Sequence, residues 1–250
     1  MTIYPRPIHK EWKWKSLITC HIFIALLLVS FLHPVSRIFW MQINESVFHL
    51  TNNWIASSKF WQLFWALNNH RGADFVEDIV FITLFIYLIK NSPKKLKMRS
   101  TAQFLFCVLL CTLFIYFVIS LLFRTYLKIP QPSPTHLWPE SFRLSKAITW
   151  MKVKDSAIRS FPGDHAVTAF LLGGSFAFCA KGSKIKYVIL YSIFLSLPRL
   201  MAGAHWFSDI FIGSLSLVVL LLSWVFLTPL NGICNEKIES VLLKLKNKGK

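Results

Sequence analysis

Residues 197–209 read LPRLMAGAHWFSD and carry Arg199, His205 and Asp209 at fixed spacing inside otherwise apolar sequence. His205 and Asp209 are four apart, so on a helix they share a face and the carboxylate can accept a bond from the imidazole. Such a pair holds the ring in one tautomer and supports positive charge on it, as a nucleophilic or basic histidine requires. Arg199 stands six residues before His205, across a link containing Gly203, and can present a guanidinium to a phosphoryl group. Alone, a His–Asp pair at this spacing is more often a structural hydrogen bond, and a lone arginine in such a place often only snorkels to an interface. The chain on either side decides between these readings.

Both flanks are apolar. Of 250 residues 54% are hydrophobic and the mean hydropathy is +0.50, which excludes an ordinary soluble domain and fits a polytopic membrane protein. Spans are expected at 17–32, 75–89, 102–123, 166–180, 185–197 and 210–227. Several are shorter than the roughly 20 residues a bilayer needs, so each extends into its polar flanks. Asp74, Glu77, His165, Arg199, His205 and Asp209 then fall at helix ends near the membrane surface. The expected fold is all-α: one integral-membrane domain over 1–250, a six-helix transmembrane bundle with an interfacial helical region at 39–67. There Trp40, Trp54, Trp61 and Trp65 mix with Asn and Ser. A cleaved signal peptide is not expected, because no small-residue cleavage site follows the first span and further spans do.

The basic residues orient the chain. The 1–16 arm holds four, 90–99 five, 181–186 three and the tail from Lys237 five, together 17 of 28. These segments alternate as one side of a six-span protein, which the positive-inside rule makes cytoplasmic, with both termini (1–16 and 229–250) on that side. The opposite face receives 33–72, 124–164 and 199–209. A net charge of +17 can mean nucleic acid, but charges set between apolar spans fit anionic membrane lipids instead. The 124–159 stretch carries seven basic residues on the translocated side, against the bias, so those charges serve something other than topology. Four of the five cysteines fall within apolar spans and none has metal-site spacing, so they read as small core residues.

Two further clusters share the outer face. The first is RSFPGDH at 159–165: Gly163 permits a tight backbone, the amides that follow open a helix and offer an anion site, and His165 can give a proton to a leaving oxygen. The other is Arg124, Lys128 and Gln131 with PSPT at 132–135, a supply of cationic and amide donors for non-bridging phosphate oxygens. No third metal ligand with fitting spacing accompanies the His–Asp pair.

In this order the clusters resemble the type 2 phosphatidic acid phosphatase (PAP2) superfamily. Its pattern is Lys, six residues, Arg-Pro; then Pro-Ser-Gly-His; then Ser-Arg, five residues, His, three residues, Asp. The third part departs here only in Pro198 for Ser; the second has Gly163 and Asp164 for Ser and Gly; the first has Arg124 for Lys and Gln131 for Arg. SFPGDH, PRxMxGAHWFxDIxxGS, the PSPT and ALNNHRGADF are similar to the lipid A phosphotransferase branch, colinearly over about 66–229. The resemblance implies a bacterial inner-membrane enzyme with its site facing the periplasm. It would move a phosphate from undecaprenyl diphosphate to the 1-phosphate of lipid A, leaving undecaprenyl phosphate and lipid A 1-diphosphate. No cofactor and no metal are implied.

The same resemblance implies the roles. His205 becomes a phosphohistidine; Asp209 orients it; His165 protonates the leaving lipid phosphate, then takes a proton from the acceptor. Arg199 and Arg124 balance charge on the equatorial oxygens, the Gly163 and Asp164 amides assist, and Lys128 makes good the charge lost at Gln131. Asp164 is foreign to the pattern; beside a phosphate it needs a cationic partner, or it helps exclude water. Asn68, Asn69, Arg71 and Asp74 read as a helix cap or as headgroup contacts, the second favoured because Glu77 and Asp78 follow. The alternatives are an undecaprenyl diphosphate phosphatase or lipid A 1-phosphatase of the same superfamily, and a non-catalytic membrane protein tolerant of His205→Ala.

Overall fold

Long apolar runs broken by proline, serine pairs and basic links set the framework of the computed structural model, which describes residues 3–248. Met1, Thr2, Gly249 and Lys250, parts of the expected arm and tail, lie outside it. A two-residue strand β1 (Tyr4–Pro5) precedes α1 (Trp14–Leu32). Pro34 cannot continue α1 but suits the first turn of α2 (Pro34–Ala56). Ser57 and Ser58 break α2 from α3 (Lys59–Asn69), and the His70 ring caps α4 (Arg71–Lys90) by accepting the Gly72 amide at 3.0 Å. Helix α5 (Lys97–Phe114) runs on as a π-helical segment, Ile115–Leu127, and stops at Lys128, whose φ of 47° turns the chain away. The loop that follows holds two single turns, α6 (Pro134–Leu137) and α7 (Leu144–Ala147). Then come α8 (Asp164–Cys179), β2 (Ala180–Lys181) and α9 (Ile185–Met201). A second π-helical segment, Asp209–Ser214, leads into α10 (Leu215–Phe226), and α11 (Leu230–Lys248) closes the chain.

The protein is mostly helical and membrane-type in composition, with three stretches among the described residues long and apolar enough to cross a bilayer: Trp14–Leu32, Lys94–Leu127 and Asp209–Phe226. The other expected spans fall short on different grounds. Helix α4 carries Asp74, Glu77 and Asp78 in its apolar run, and α8 and α9 have 16 and 17 residues. Two boundaries also move. The 185–197 span continues through Pro198 to Met201, and the 39–67 stretch is two helices, not one. Helix α2 turns Asn44, Phe48, Thr51 and Asn52 inward, so it packs on the body of the protein as well as presenting an apolar surface.

Helix α8 is the centre of the bundle, packed against α9, α10 and α5. Between helices in lipid, close van der Waals packing replaces the hydrophobic effect as the main attraction, so small residues matter most. A Cβ at Gly173 would lie 1.8 Å from the Ser192 Oγ of α9, so only glycine admits this α8–α9 approach. The basic segments meet at the C-terminal end of α8. There β1 pairs antiparallel with β2, Lys10 bonds Glu236 at 2.5 Å, and Arg99 lies 3.6 Å from Glu236 and 3.7 Å from Glu239. The three sequence clusters gather at the opposite end, where α8 begins.

Candidate active site

His205 follows a turn that Gly203 makes feasible. Gly203 has φ +76°, and a Cβ there would lie 2.5 Å from the Thr135 methyl. His205 therefore stands ahead of the π-helical segment and not on it, so the expected shared helix face with Asp209 is not formed. The imidazole is 3% exposed and its Nδ1 bonds the Ser160 carbonyl at 2.7 Å. A carbonyl has no proton to give, so Nδ1 carries the hydrogen and Nε2 the lone pair. That Nε2 is buried and has no hydrogen-bond partner.

Asp209 lies 3.5 Å from Nδ1, near enough to favour positive charge on the ring while the Ser160 carbonyl sets its tautomer. Fully buried, it accepts the Trp206 amide at 2.9 Å and the Gln131 side-chain amide at 2.6 Å. Its backbone carbonyl accepts Gly163 N–H at 3.3 Å and the Ser214 hydroxyl at 3.0 Å. The widened π register leaves carbonyls to be satisfied this way. Gly213 clears the space: a Cβ there would lie 2.7 Å from the Phe161 ring. Trp206 donates to the Pro132 carbonyl at 2.7 Å and stacks edge-on against Trp138, backing the histidine turn.

Arg199, 8% exposed, donates to Asn69 Oδ1 and lies 3.7 Å from Asp74. Asn69, 1% exposed, also accepts the Lys154 amide and donates to the Pro198 carbonyl, both at 3.0 Å, so it ties α3, α9 and the long loop together. His165 sits between two carboxylates, Asp74 at 3.6 Å from Nδ1 and Glu77 at 3.6 Å from Nε2. Burial lowers its pKa to about 4; Asp74 opposes this, while Arg199, His205 and Lys154 add to it. His165 is therefore neutral at pH 7 in the free protein.

Asp164 finds the cationic partners its chemistry demands. Arg124 bonds Oδ2, Lys154 lies 3.5 Å from the same oxygen, and Oδ1 accepts the His165 amide at 2.9 Å. In the structure four of the expected phosphate contacts have other partners or face elsewhere. Lys128 is exposed and makes no ion pair with the cluster among the described residues, because the left-handed turn at 128 directs it away; Lys154 stands there instead. Gln131 turns its amide onto Asp209, having no charge to attract an anion away from it. The Gly163 amide is already donated to the Asp209 carbonyl. The PSPT stretch is a latch: Ser133 and Thr135 are buried and bond backbone at 155, 157 and 203. Asp74 joins the cluster through Arg199 and His165, whereas Arg71 is exposed at the start of α4.

Lys154, Glu77 and the Ser160 carbonyl escaped the expected site, and Asn69, expected as a cap or a headgroup contact, bonds Arg199. Glu77 had a signal, a carboxylate inside an apolar run. A backbone carbonyl has none, and Lys154 was one of seven basic residues in its loop. Of those seven, Arg143 is spent on a structural pair with buried Asp155 at 2.6 Å.

One cleft opens on this centre and a second lies one helical turn along α8. One of about 790 Å³ has His165 and Glu77 among its walls, with His70, Trp150 and Lys152 at its sides. The other, about 570 Å³ and mostly apolar, runs between α4, α5 with its π-helical continuation, and α8. It includes Thr168, whose hydroxyl bonds the Asp164 carbonyl.

The comparisons with known proteins bear on the same residues. The chain is 29% identical over 208 residues to the lipid A 1-diphosphate synthase of Escherichia coli (strain K12), an alignment covering 82% of this chain and 84% of that protein. No solved structure matches. The profile of the PAP2 superfamily matches residues 102–231, more than half the chain and the stretch that supplies Arg124, His165, Arg199, His205 and Asp209. The buried histidine, with Asp164 before its Nε2 and Arg124 and Lys154 on that carboxylate, thus lies where that profile matches, and the chain belongs to the PAP2 superfamily, as an enzyme acting on phosphate groups.

Proposed function

We propose that this enzyme is a six-span inner-membrane phosphotransferase with its site on the periplasmic face and both termini cytoplasmic. It moves the terminal phosphate of undecaprenyl diphosphate to the 1-phosphate of lipid A. The observation that carries the reading is the buried Nε2 of His205, which makes no hydrogen bond and faces Asp164 at 3.4 Å, a carboxylate that Arg124 and Lys154 also hold. The similarity to a lipid A 1-diphosphate synthase supports the choice of acceptor.

In the first half-reaction Nε2 bonds the terminal phosphorus. The bond to the bridging oxygen breaks, and undecaprenyl phosphate leaves with the electron pair. Asp209, 3.5 Å from Nδ1, steadies the positive ring by its charge, and the cations spread over the equatorial oxygens. Burial is the main cause of the lowered His165 pKa, with Arg199, His205 and Lys154 adding to it; the negative charge of the arriving diphosphate acts against these, favouring the protonated ring that passes its proton to the leaving phosphate. A phosphate monoester has its second pKa at about 6, so the demand on this acid is small. In the second half-reaction an ionised oxygen of lipid A 1-phosphate bonds the phosphorus and the P–N bond breaks. That acceptor needs little help from a base at neutral pH, whereas water does. The mostly apolar groove that includes Thr168 takes the polyprenyl chain, and the wider cleft beside His165, with His70 and Lys152 at its sides, takes the acceptor headgroup.

The test supplies undecaprenyl diphosphate labelled at its terminal phosphate to purified protein, with and without lipid A. Label on lipid A supports transfer; label released as free phosphate at one rate in both makes the enzyme a phosphatase that shares only the phosphohistidine.

Lys154 adds a pH signature. Partial burial, then Arg199 and Arg124, lower its pKa to about 8. The ammonium is charged at pH 7 and is lost as the pH rises through about 8, so kcat/KM should fall along a basic limb there. Lys154→Arg keeps the charge and moves that limb upward; a limb that stays put belongs to another group.

A further inference from the structure

We propose that the Asp164 carboxylate occupies the place of the transferred phosphoryl group in the free enzyme and must be displaced by it, so that Asp164 sets which anions the site admits. The inference rests on the phosphohistidine reading of His205.

The surroundings of this carboxylate are those a phosphoryl group would need. Its Oδ2 lies on the Arg124 guanidinium and 3.5 Å from the Lys154 ammonium. Its Oδ1 accepts the His165 amide at 2.9 Å, in the first turn of α8. The same oxygen stands 3.4 Å from His205 Nε2. Nε2 makes no hydrogen bond, so its contact with Asp164 is one of proximity only. Orienting the histidine is therefore not what keeps the carboxylate there; the two cations and the amide do. It fills the position from which a phosphorus would be attacked.

An incoming anion has to take those donors from Asp164. A small anion of one charge replaces one negative group by another and gains little. The end of a diphosphate brings more charge and several acceptor oxygens, enough to recruit Arg199 as well as Arg124 and Lys154. Both sides of the exchange can move: the Arg124 side chain is 56% exposed and Asp164 25%. Arg124 swings with the incoming group, and Asp164 rotates toward the apolar groove mouth or solvent. A glycine here, as the superfamily pattern has, would leave the donors open to any phosphate.

The rival account makes Asp164 an ordinary acidic residue at a helix start that keeps Arg124 and Lys154 in place. The two accounts predict opposite signs. The full-length enzyme in detergent is titrated calorimetrically with inorganic phosphate, wild type against Asp164→Asn. Displacement predicts that the variant binds phosphate about tenfold more tightly, since a competing like charge is gone. Unchanged or weaker binding overturns it and leaves Asp164 as an anchor for the two cations. Asp164→Gly repeats the comparison should the asparagine variant not fold, with circular dichroism qualifying each protein. The readout needs no lipid turnover. Tighter phosphate binding without label transfer to lipid A would sink the transferase reading alone. Transfer that depends on His205 without the gain in phosphate affinity would sink this inference alone.

Discussion

His205→Ala is expected to lower label transfer from undecaprenyl diphosphate to lipid A by about 10,000-fold or more, the scale on which loss of a covalent nucleophile is felt. His205 Nε2 is buried and makes no hydrogen bond, and Asp164, 3.4 Å from it, is held by Arg124 and Lys154. His165 stands at the start of α8 with each nitrogen 3.6 Å from a carboxylate, Asp74 or Glu77, a place that suits a proton carrier. His205→Asn sharpens the test. Asparagine still offers an N–H to the Ser160 carbonyl and fills part of the same space, so the turn survives while the nucleophile is gone. In the wild type, brief exposure to labelled donor without lipid A should leave an acid-labile phosphoprotein that neither variant forms. Transfer above a tenth of wild type in either would remove His205 from the mechanism.

Arg199→Gln is expected to lower kcat/KM by about 100- to 1,000-fold, the usual cost of losing a fixed donor to developing oxyanion charge. Its effect on folding should be smaller, because the partner left behind, Asp74, is 39% exposed and solvent takes over part of the lost interaction. Arg199→Lys separates charge from shape. The lysine keeps the positive charge but has a single head group, so it cannot bond Asn69 and a phosphoryl oxygen with two arms of one fork. A loss of about ten- to 100-fold should therefore remain. Full activity in Arg199→Lys would reduce Arg199 to a point charge, and unchanged kcat/KM in Arg199→Gln would leave it a structural residue tied to Asn69. Thermal unfolding of both variants in detergent tells a damaged fold from a damaged site.

The side chains that perform the proposed chemistry were legible because type and short-range spacing carry their meaning. A histidine four residues before an aspartate, an arginine six before the histidine, and a Gly-Asp-His at a helix start can be read without knowing the fold. The grouping of arm, 90–99 link, 181–186 link and tail was legible for a like reason: charge excluded from apolar spans collects between them. The structure indeed brings these four to one end through β1–β2 and the Lys10, Arg99, Glu236 and Glu239 contacts.

Pairing was not legible. Gln131 reads as a donor to phosphate and spends its amide on Asp209; Lys128 and Lys154 read alike and only one reaches Asp164. Their loop follows a path set by Ser133 with Ala157 and by Thr135 with Asp155 and Gly203, contacts separated by 20 to 68 positions. The Ser160 carbonyl that sets the His205 tautomer belongs to the backbone, which every residue shares, so no residue type marks it. Residue chemistry and local spacing were thus enough for the superfamily, the helical class and the central histidine, arginine and aspartate. Tertiary structure alone decided which nitrogen of that histidine is free, which lysine faces it and that Asp164 stands before it, because these depend on distances between segments far apart in the chain.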